Sequence, residues 1–344
     1  AITIEGGADR EQAKQVLRNP KFLALFSSQI LTQVGGNAVL FGLTVHVFGL
    51  TGSSTAVSML LLTFLVPAVV FGAIAGVFVD MFDRRQILIW SNFIRAGLYM
   101  LLLIFPDQLL IIYAVTALVA TLTTFFGPAE AAMIPMVVKR EQLLTANSFF
   151  ILMLQASFVI GFALLGPAAH RFLGMDMLVI IVVAAYAAAG FFCWILPPSP
   201  PGQAGQASLD SARRAIEATF SQLREGLQYI RDHHNIFWSL TYLAITASLI
   251  GVLGSLGPAF AKDVLGLQDS DLVVILLPLG AGLVSGIVVL NFVGHLLPRR
   301  RLIEAGMIGL GTALVVLGLV QNLDILRNGD DISALLVIVV VLAF

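Results

Sequence analysis

Long apolar runs separated by short polar loops occupy most of this chain. Stretches of spanning length cover 22–49, 55–79, 87–105, 109–136, 146–168, 175–196, 236–260, 272–294 and 302–321. At 1.5 Å of rise per residue, each is long enough to cross a hydrocarbon core of ~30 Å as a helix. A tenth run opens near Ile332 and reaches Phe344. It would span only ~20 Å, so the chain is expected to end within that helix. The loop between the second and third runs, Gly76-Val-Phe-Val-Asp80-Met-Phe-Asp-Arg84-Arg85, is short and carries four charges, so the chain crosses a bilayer, turns on them and crosses back.

Composition agrees with this pattern. Of 344 residues, 58% are hydrophobic and only 11% charged; a soluble domain would carry about a quarter charged residues, so most of this surface faces lipid. Basic residues are segregated by loop. One side collects Arg10, Lys14, Arg18, Lys21, Arg84, Arg85, Lys139, Arg140, Arg213, Arg214, Arg224, Arg231 and Arg299 to Arg301. The other holds Arg171, Lys262 and Arg327, while Arg95 lies within a helix. The richer side is expected to be cytoplasmic, which places the amino terminus inside. The start of the chain has no apolar signal-peptide core. No basic patch suits nucleic acid. The absence of a Walker-type glycine loop argues against ATP hydrolysis, and no cofactor is expected. Cys193 stands alone in an apolar run and reads as a buried or lipid-facing side chain. His233-His234 has only Asp232 nearby and reads as a solvated helix end, so no metal site is expected.

The one long loop follows Leu196. Pro197-Pro198-Ser-Pro200-Pro201-Gly breaks any helix, and then Leu209, Ile216, Phe220, Leu223, Leu227 and Ile230 share one helical face. This predicts an amphipathic linker helix, either on the cytoplasmic membrane surface or packed on the protein's own loops. The organisation expected is a six-helix bundle over 1–196, a cytoplasmic linker over 197–235 and part of a second bundle over 236–344. An internal repeat supports two halves. Asn19-Pro-Lys-Phe22 precedes the first run as Asn235-Ile-Phe-Trp238 precedes the seventh, and Asp80 to Arg85 aligns with His295 to Arg300 at nearly the same offset. Parallel halves related by an axis along the membrane normal are one known transporter architecture.

Polar residues inside the spans are the candidates for mechanism. Arg95 lies ten residues from Arg85 and Glu130 nine from Lys139, depths of ~15 Å and ~13 Å. Charges so deep are costly and tend to pair or face water. Three readings stay open: an Arg95–Glu130 pair, Glu130 as counter-ion to Arg84, or Glu130 as a proton-coupling carboxylate. Gln29, Gln33 and Asn37 recur every four residues as a wet stripe on the first helix, fit to line a cavity; Gly35-Gly36 beside it could instead mark close helix packing. Gln155, and Tyr242 with Thr246 one turn apart, are further cavity candidates, and His46 reads as an interfacial histidine. An aromatic, nearly uncharged cavity would suit a bulky amphipathic substrate. At the cytoplasmic end of helix two, Asp80 can accept from amides at a neighbouring helix start and pair with Arg84.

The charged loop resembles the Gly-x-x-x-Asp-Arg/Lys-x-Gly-Arg-Arg/Lys motif of the major facilitator superfamily. Gly76, Asp80, Arg84 and Arg85 match it, while Met81 and Asp83 depart from it. The Asp-Arg-Arg ending is similar to the branch containing macrolide exporters, the enterobactin exporter and lysophospholipid transporters. Phe126-Gly-Pro128-Ala-Glu130-Ala-Ala-Met-Ile-Pro135 and Glu141 to Ser148 look like that branch's fourth helix and following loop. The antiporter motif Gly-x-x-x-Gly-Pro-x-x-Gly is matched at Gly166-Pro167 only. Phe162 and His170 occupy the flanking glycine positions, with Gly161 one residue out of register, which leaves antiport open.

The resemblance implies an all-α integral membrane fold of two pseudo-symmetric six-helix bundles, the second cut within helix ten. It implies that Gly76, Asp80, Arg84 and Arg85 form a conformational latch against an eleventh helix. The function expected is a secondary transporter, a monomer in the bacterial plasma membrane. It would export amphipathic small molecules of drug or siderophore type by alternating access, with protons as the candidate coupling ion. A lysophospholipid or lipid transporter of the same superfamily is the alternative. A membrane-embedded enzyme or a receptor would need clustered His, Asp or Cys at a membrane face, or a large extramembrane domain.

Overall fold

The computed structural model describes residues 11–199, 221, 224–263 and, further on, 286, 301, 302, 304–306, 308, 309, 311, 312 and 315. Most of the expected helices eight and nine, all of helix ten, most of the amphipathic linker stripe and the repeat partner at His295 to Arg300 lie outside the described residues.

Each helix begins where the local chemistry supplies a start. α1, Pro20–Thr51, is capped by Asn19, whose Oδ1 accepts from the amides of Lys21 at 3.0 Å and Phe22 at 3.3 Å, with proline at the first helical position. It ends at Gly52, in the left-handed conformation at φ 60°. α2, Ser54–Asp80, follows after Ser53 accepts from Ala56 N–H at 3.4 Å. α3, Arg84–Ile104, is capped by Asp83, which accepts from Arg85 N–H at 2.9 Å. α4, Leu109–Val137, carries Pro128 and Pro135 inside it. After a 3₁₀ turn at Arg140–Gln142 come α5, Leu143–Phe158, a π-helical segment Val159–Leu165 and α6, Gly166–Cys193. α7 is His234–Asp263.

These boundaries match the predicted runs closely except between the fifth and sixth crossings. The pattern predicts a gap between 168 and 175, but helix continues through it, interrupted only at Gly174, whose φ of 83° no side-chain-bearing residue adopts readily. The chain nonetheless reverses there. Gly161 and Gly166 meet Val34 and Phe41 of α1 in ascending order, whereas Leu178, Val182 and Cys193 meet Gly42, Gly35 and Ser28 in descending order. The fifth crossing therefore ends, and the sixth begins, at Gly174.

α1 packs chiefly on α6 and the π segment, α2 on α4, and α3 on both α4 and α6. The interior has two apolar clusters. One, near the start of α1, joins Phe22, Leu25, Val79, Leu88, Met133, Phe150 and Cys193. The other, toward its end, joins Val39, Leu43, Leu60, Tyr99, Val115, Leu178 and Tyr186. Apolar side chains also cover the outside, with Val69 at 72% and Leu110 at 81% exposure. In water such a surface would be unstable; against lipid it is the expected one.

Candidate functional site

Between the two apolar clusters lies a polar layer built from α1, α3, α4 and α6. Ser28, Gln29, Thr32, Ser91, Asn92, Arg95 and Glu130 are all buried there. Arg95 is the layer's central group, 2% exposed. Its Nε donates to Ser91 O at 3.0 Å, Nη2 to Asn92 Oδ1 at 3.0 Å and Nη1 to Thr123 Oγ1 at 3.4 Å. The guanidinium lies over the rings of Phe126, 4.4 Å from the centroid, and Tyr186, at 5.0 Å. A guanidinium can lie over two rings while its N–H groups donate to several acceptors, which a lysine ammonium cannot reproduce. Asn92 extends the network, its Nδ2 reaching Ser28 Oγ at 3.5 Å and Cys193 Sγ at 3.6 Å, while Ser28 and Cys193 lie 3.2 Å apart.

No ion pair joins Arg95 to Glu130 among the described residues, so the direct pair considered from sequence does not form. The reason is local: Arg95's donors point to α3 itself and to Thr123, and its faces are taken by rings. Glu130 sits one helical turn beyond Phe126 on α4, near enough for the guanidinium to act on it electrostatically. It is 6% exposed, yet its Oε1 has no hydrogen-bond partner. Nor does Glu130 serve Arg84, which pairs with Asp80 instead.

The charged loop ties three helices. Arg84 Nη2 donates to Asp80 Oδ1 at 2.9 Å, and Arg84 Nη1 reaches Ser199 Oγ at 3.4 Å. Arg85 Nη2 donates to Trp194 O at 2.6 Å. Asp83, a departure from the motif, both caps α3 and accepts from Ser199 N–H at 3.2 Å. Gly76 has open space where a Cβ would be. Trp194 and Ser199 were not foreseeable, because nothing local in sequence marks a carbonyl or hydroxyl more than a hundred residues away as a partner.

The wet stripe divides. Gln29 is buried at 3%, paired locally with Thr32, and so belongs to the bundle interior. Gln33 and Asn37 are half-buried, Gln155 is exposed, and Tyr242 is 40% exposed; the Thr246 side chain lies outside the described residues. Gly36 packs tightly, a Cβ there falling 3.0 Å from Tyr186 Oη. His46 Nε2 is 3.0 Å from Pro106 O and 3.5 Å from Asp107, which ties α1 to the loop before α4.

The π segment corrects the register assigned to Gly161. Gly166 N–H donates to Gly161 O, an i to i−5 bond, so the two glycines lie one wide turn apart on one face although they are five positions apart in sequence. A Cβ on Gly161 would collide with Val34 O and lie 2.8 Å from Asn37 Cβ; one on Gly166 would lie 3.0 Å from Ala38 O and 2.9 Å from Phe41 Cβ. Val34 and Ala38, like Asn37 and Phe41, are one α-turn apart. The extra residue is absorbed in the π turn, and both glycines meet α1.

The described residues therefore define a polytopic, all-helical membrane protein with a charged layer in its interior. The chain matches the Major Facilitator Superfamily model over residues 24–344 and belongs to that superfamily. It is 22% identical over 307 residues to macrolide efflux protein A of Streptococcus pyogenes, covering 88% of this chain and 74% of that protein. It is 24% identical to macrolide efflux protein A of Enterococcus faecalis, covering 79% and 82%. An uncharacterized MFS-type transporter of Bacillus subtilis, YfiS, is 25% identical over 63% of this chain. The chain spans about half the length of that protein and of a second Bacillus subtilis relative, YkuC, at 51% and 50%. Among solved structures, the POT family transporter PepTSo aligns with a TM-score of 0.66 at 15% identity, covering 94% of this chain and 80% of that one, a likeness of fold.

Proposed function

We propose that this chain is part of a secondary transporter that exports amphipathic small molecules by alternating access, driven by an ion gradient. The observation that carries the reading is the similarity to macrolide efflux protein A over 88% of the chain. The polar layer adds a physical reason. Glu130 is a buried carboxyl with no ion pair to break among the described residues, so it can take up and release a proton without dismantling the Arg95 network. Asp80, Arg84 and Arg85, with Gly76, act as the latch at the cytoplasmic end. Gln33, Asn37, Gln155 and Tyr242 line the substrate path between an amino-terminal bundle over 1–196 and the bundle that starts at 236. The protein works as a monomer in a bacterial plasma membrane with its amino terminus inside, the side on which basic residues collect.

A second reading, movement of lysophospholipid, is favoured by the sparse charge of the described spans, where Arg95 and Glu130 are the two deep charges. The full-length protein, expressed in an efflux-deficient bacterium, is expected to lower accumulation of a macrolide and of an amphipathic dye. Unchanged accumulation of both, together with faster lysolipid uptake, would replace the first reading by the second.

A further inference from the structure

An open surface recess of about 620 Å³ lies at the start of α1, away from the polar layer, lined by Gln15, Arg18, Asn19, Met136, Lys139 and Gln142 among others. Its walls are fixed by hydrogen bonds between segments remote in sequence. Asn19 Nδ2 donates to Val137 O at 2.5 Å, Gln142 Nε2 to Gln15 Oε1 at 3.2 Å and Lys139 N–H to Gln142 Oε1 at 3.3 Å. Two cations, Arg18 and Lys139, enter it, and neither pairs with a carboxylate among the described residues. Glu11 and Glu141, the carboxylates on these same segments, do not line it. Met136 on its wall and Leu17 beside Arg18 are each 41% exposed. Cations beside exposed apolar side chains, at the end of a span, match a headgroup with acyl chains attached.

The geometry points to a binding site for the phosphodiester headgroup of an anionic lipid of the cytoplasmic leaflet. Arg18 and Lys139 hold the phosphate, the Gln15 amide nitrogen reaches the headgroup's polar rim, and Met136 meets the first acyl carbons. Juxtamembrane basic pockets bind such lipids because each cation adds to the attraction of a negative surface. The site is separate from the substrate path and does not depend on the transport reading; its assignment to the cytoplasmic leaflet rests on the proposed orientation, with the amino terminus inside.

The test is native mass spectrometry of the full-length protein in detergent, titrated in turn with a phosphatidylglycerol, a phosphatidylcholine and inorganic phosphate. Phosphatidylglycerol adducts should persist where phosphatidylcholine adducts do not, and millimolar phosphate should fail to displace them. The double variant Arg18→Gln, Lys139→Gln should bind phosphatidylglycerol about thirty-fold more weakly, the combined effect of two basic side chains at a lipid surface. The charge-preserving pair Arg18→Lys, Lys139→Arg should bind as wild type, which separates lost charge from lost fold. Arg171→Gln, on the opposite membrane face, should change nothing. Equal retention of both lipids, undiminished binding by the Gln variant, or equal loss from Arg171→Gln would overturn the proposal. Displacement by free phosphate would assign the pocket to a soluble anion and overturn the lipid assignment.

Discussion

Gly161→Ala tests the contact between the fifth crossing and α1 with the smallest possible perturbation. The added methyl would overlap the carbonyl oxygen of Val34 and lie 2.8 Å from Asn37 Cβ. Backbone cannot rotate away as a long side chain can, so α1 and the π segment must separate. Overpacking of this kind costs ~1–3 kcal/mol, while replacing glycine by alanine within a helix returns up to ~1 kcal/mol. The net loss is ~1–2 kcal/mol, which for 344 residues lowers the unfolding temperature by roughly 1–3 °C. The assay is thermal unfolding in detergent followed by intrinsic fluorescence. Gly97→Ala is the matched control, since nothing lies within 4 Å of its Cβ position; it should be neutral or slightly stabilising. If Gly161→Ala is as stable as Gly97→Ala, the close approach inferred at the π segment is wrong.

Three further outcomes follow from the same geometry. Deleting Leu164, 43% exposed in the π segment, should leave a folded, monodisperse protein, because Gly161 and Gly166 would then be α-spaced and keep the same face; deleting Ile151 in α5 should not, and size-exclusion profiles distinguish the two. Asp83→Ala should cost ~1 kcal/mol through loss of the α3 cap, seen as a lower unfolding temperature, with Asp83→Asn retaining most of it. Arg95→Lys should destabilise by ~2 kcal/mol or more, since an ammonium cannot meet Ser91, Asn92 and Thr123 at once or stack on Phe126 and Tyr186; thermal unfolding equal to wild type would contradict the role given to that network.

The spans were legible because hydrophobic length is a local property. Pro20, Asn19, Ser53 and Asp83 mark their starts through side chains one to three residues away. The π turn was not legible, because Gly161 and Phe162 read one residue out of place on an α template and only the Gly166 to Gly161 bond shows that the template is wrong there. Gly174 was hidden for a similar reason: the pattern expects several residues to reverse a chain that one glycine at positive φ reverses. Depth singled out Arg95 and Glu130 as a pair, but depth carries no azimuth. Arg95 turns to its own helix and to aromatic faces, and Glu130 Oε1 is left without a hydrogen bond among the described residues. Periodicity likewise grouped Gln29 with Gln33 and Asn37, although Gln29 is buried and bonded to Thr32 while the other two are half-open.

Proton-coupled export through Glu130 is the central claim, and transport by proteoliposomes under an imposed pH gradient tests it most directly. Full-length wild-type protein should accumulate a macrolide against its concentration gradient only while the pH gradient lasts. Glu130→Gln, which keeps the shape of the side chain, should bind the macrolide and equilibrate it without accumulating it. Gradient-driven accumulation by Glu130→Gln at the wild-type rate would contradict the account.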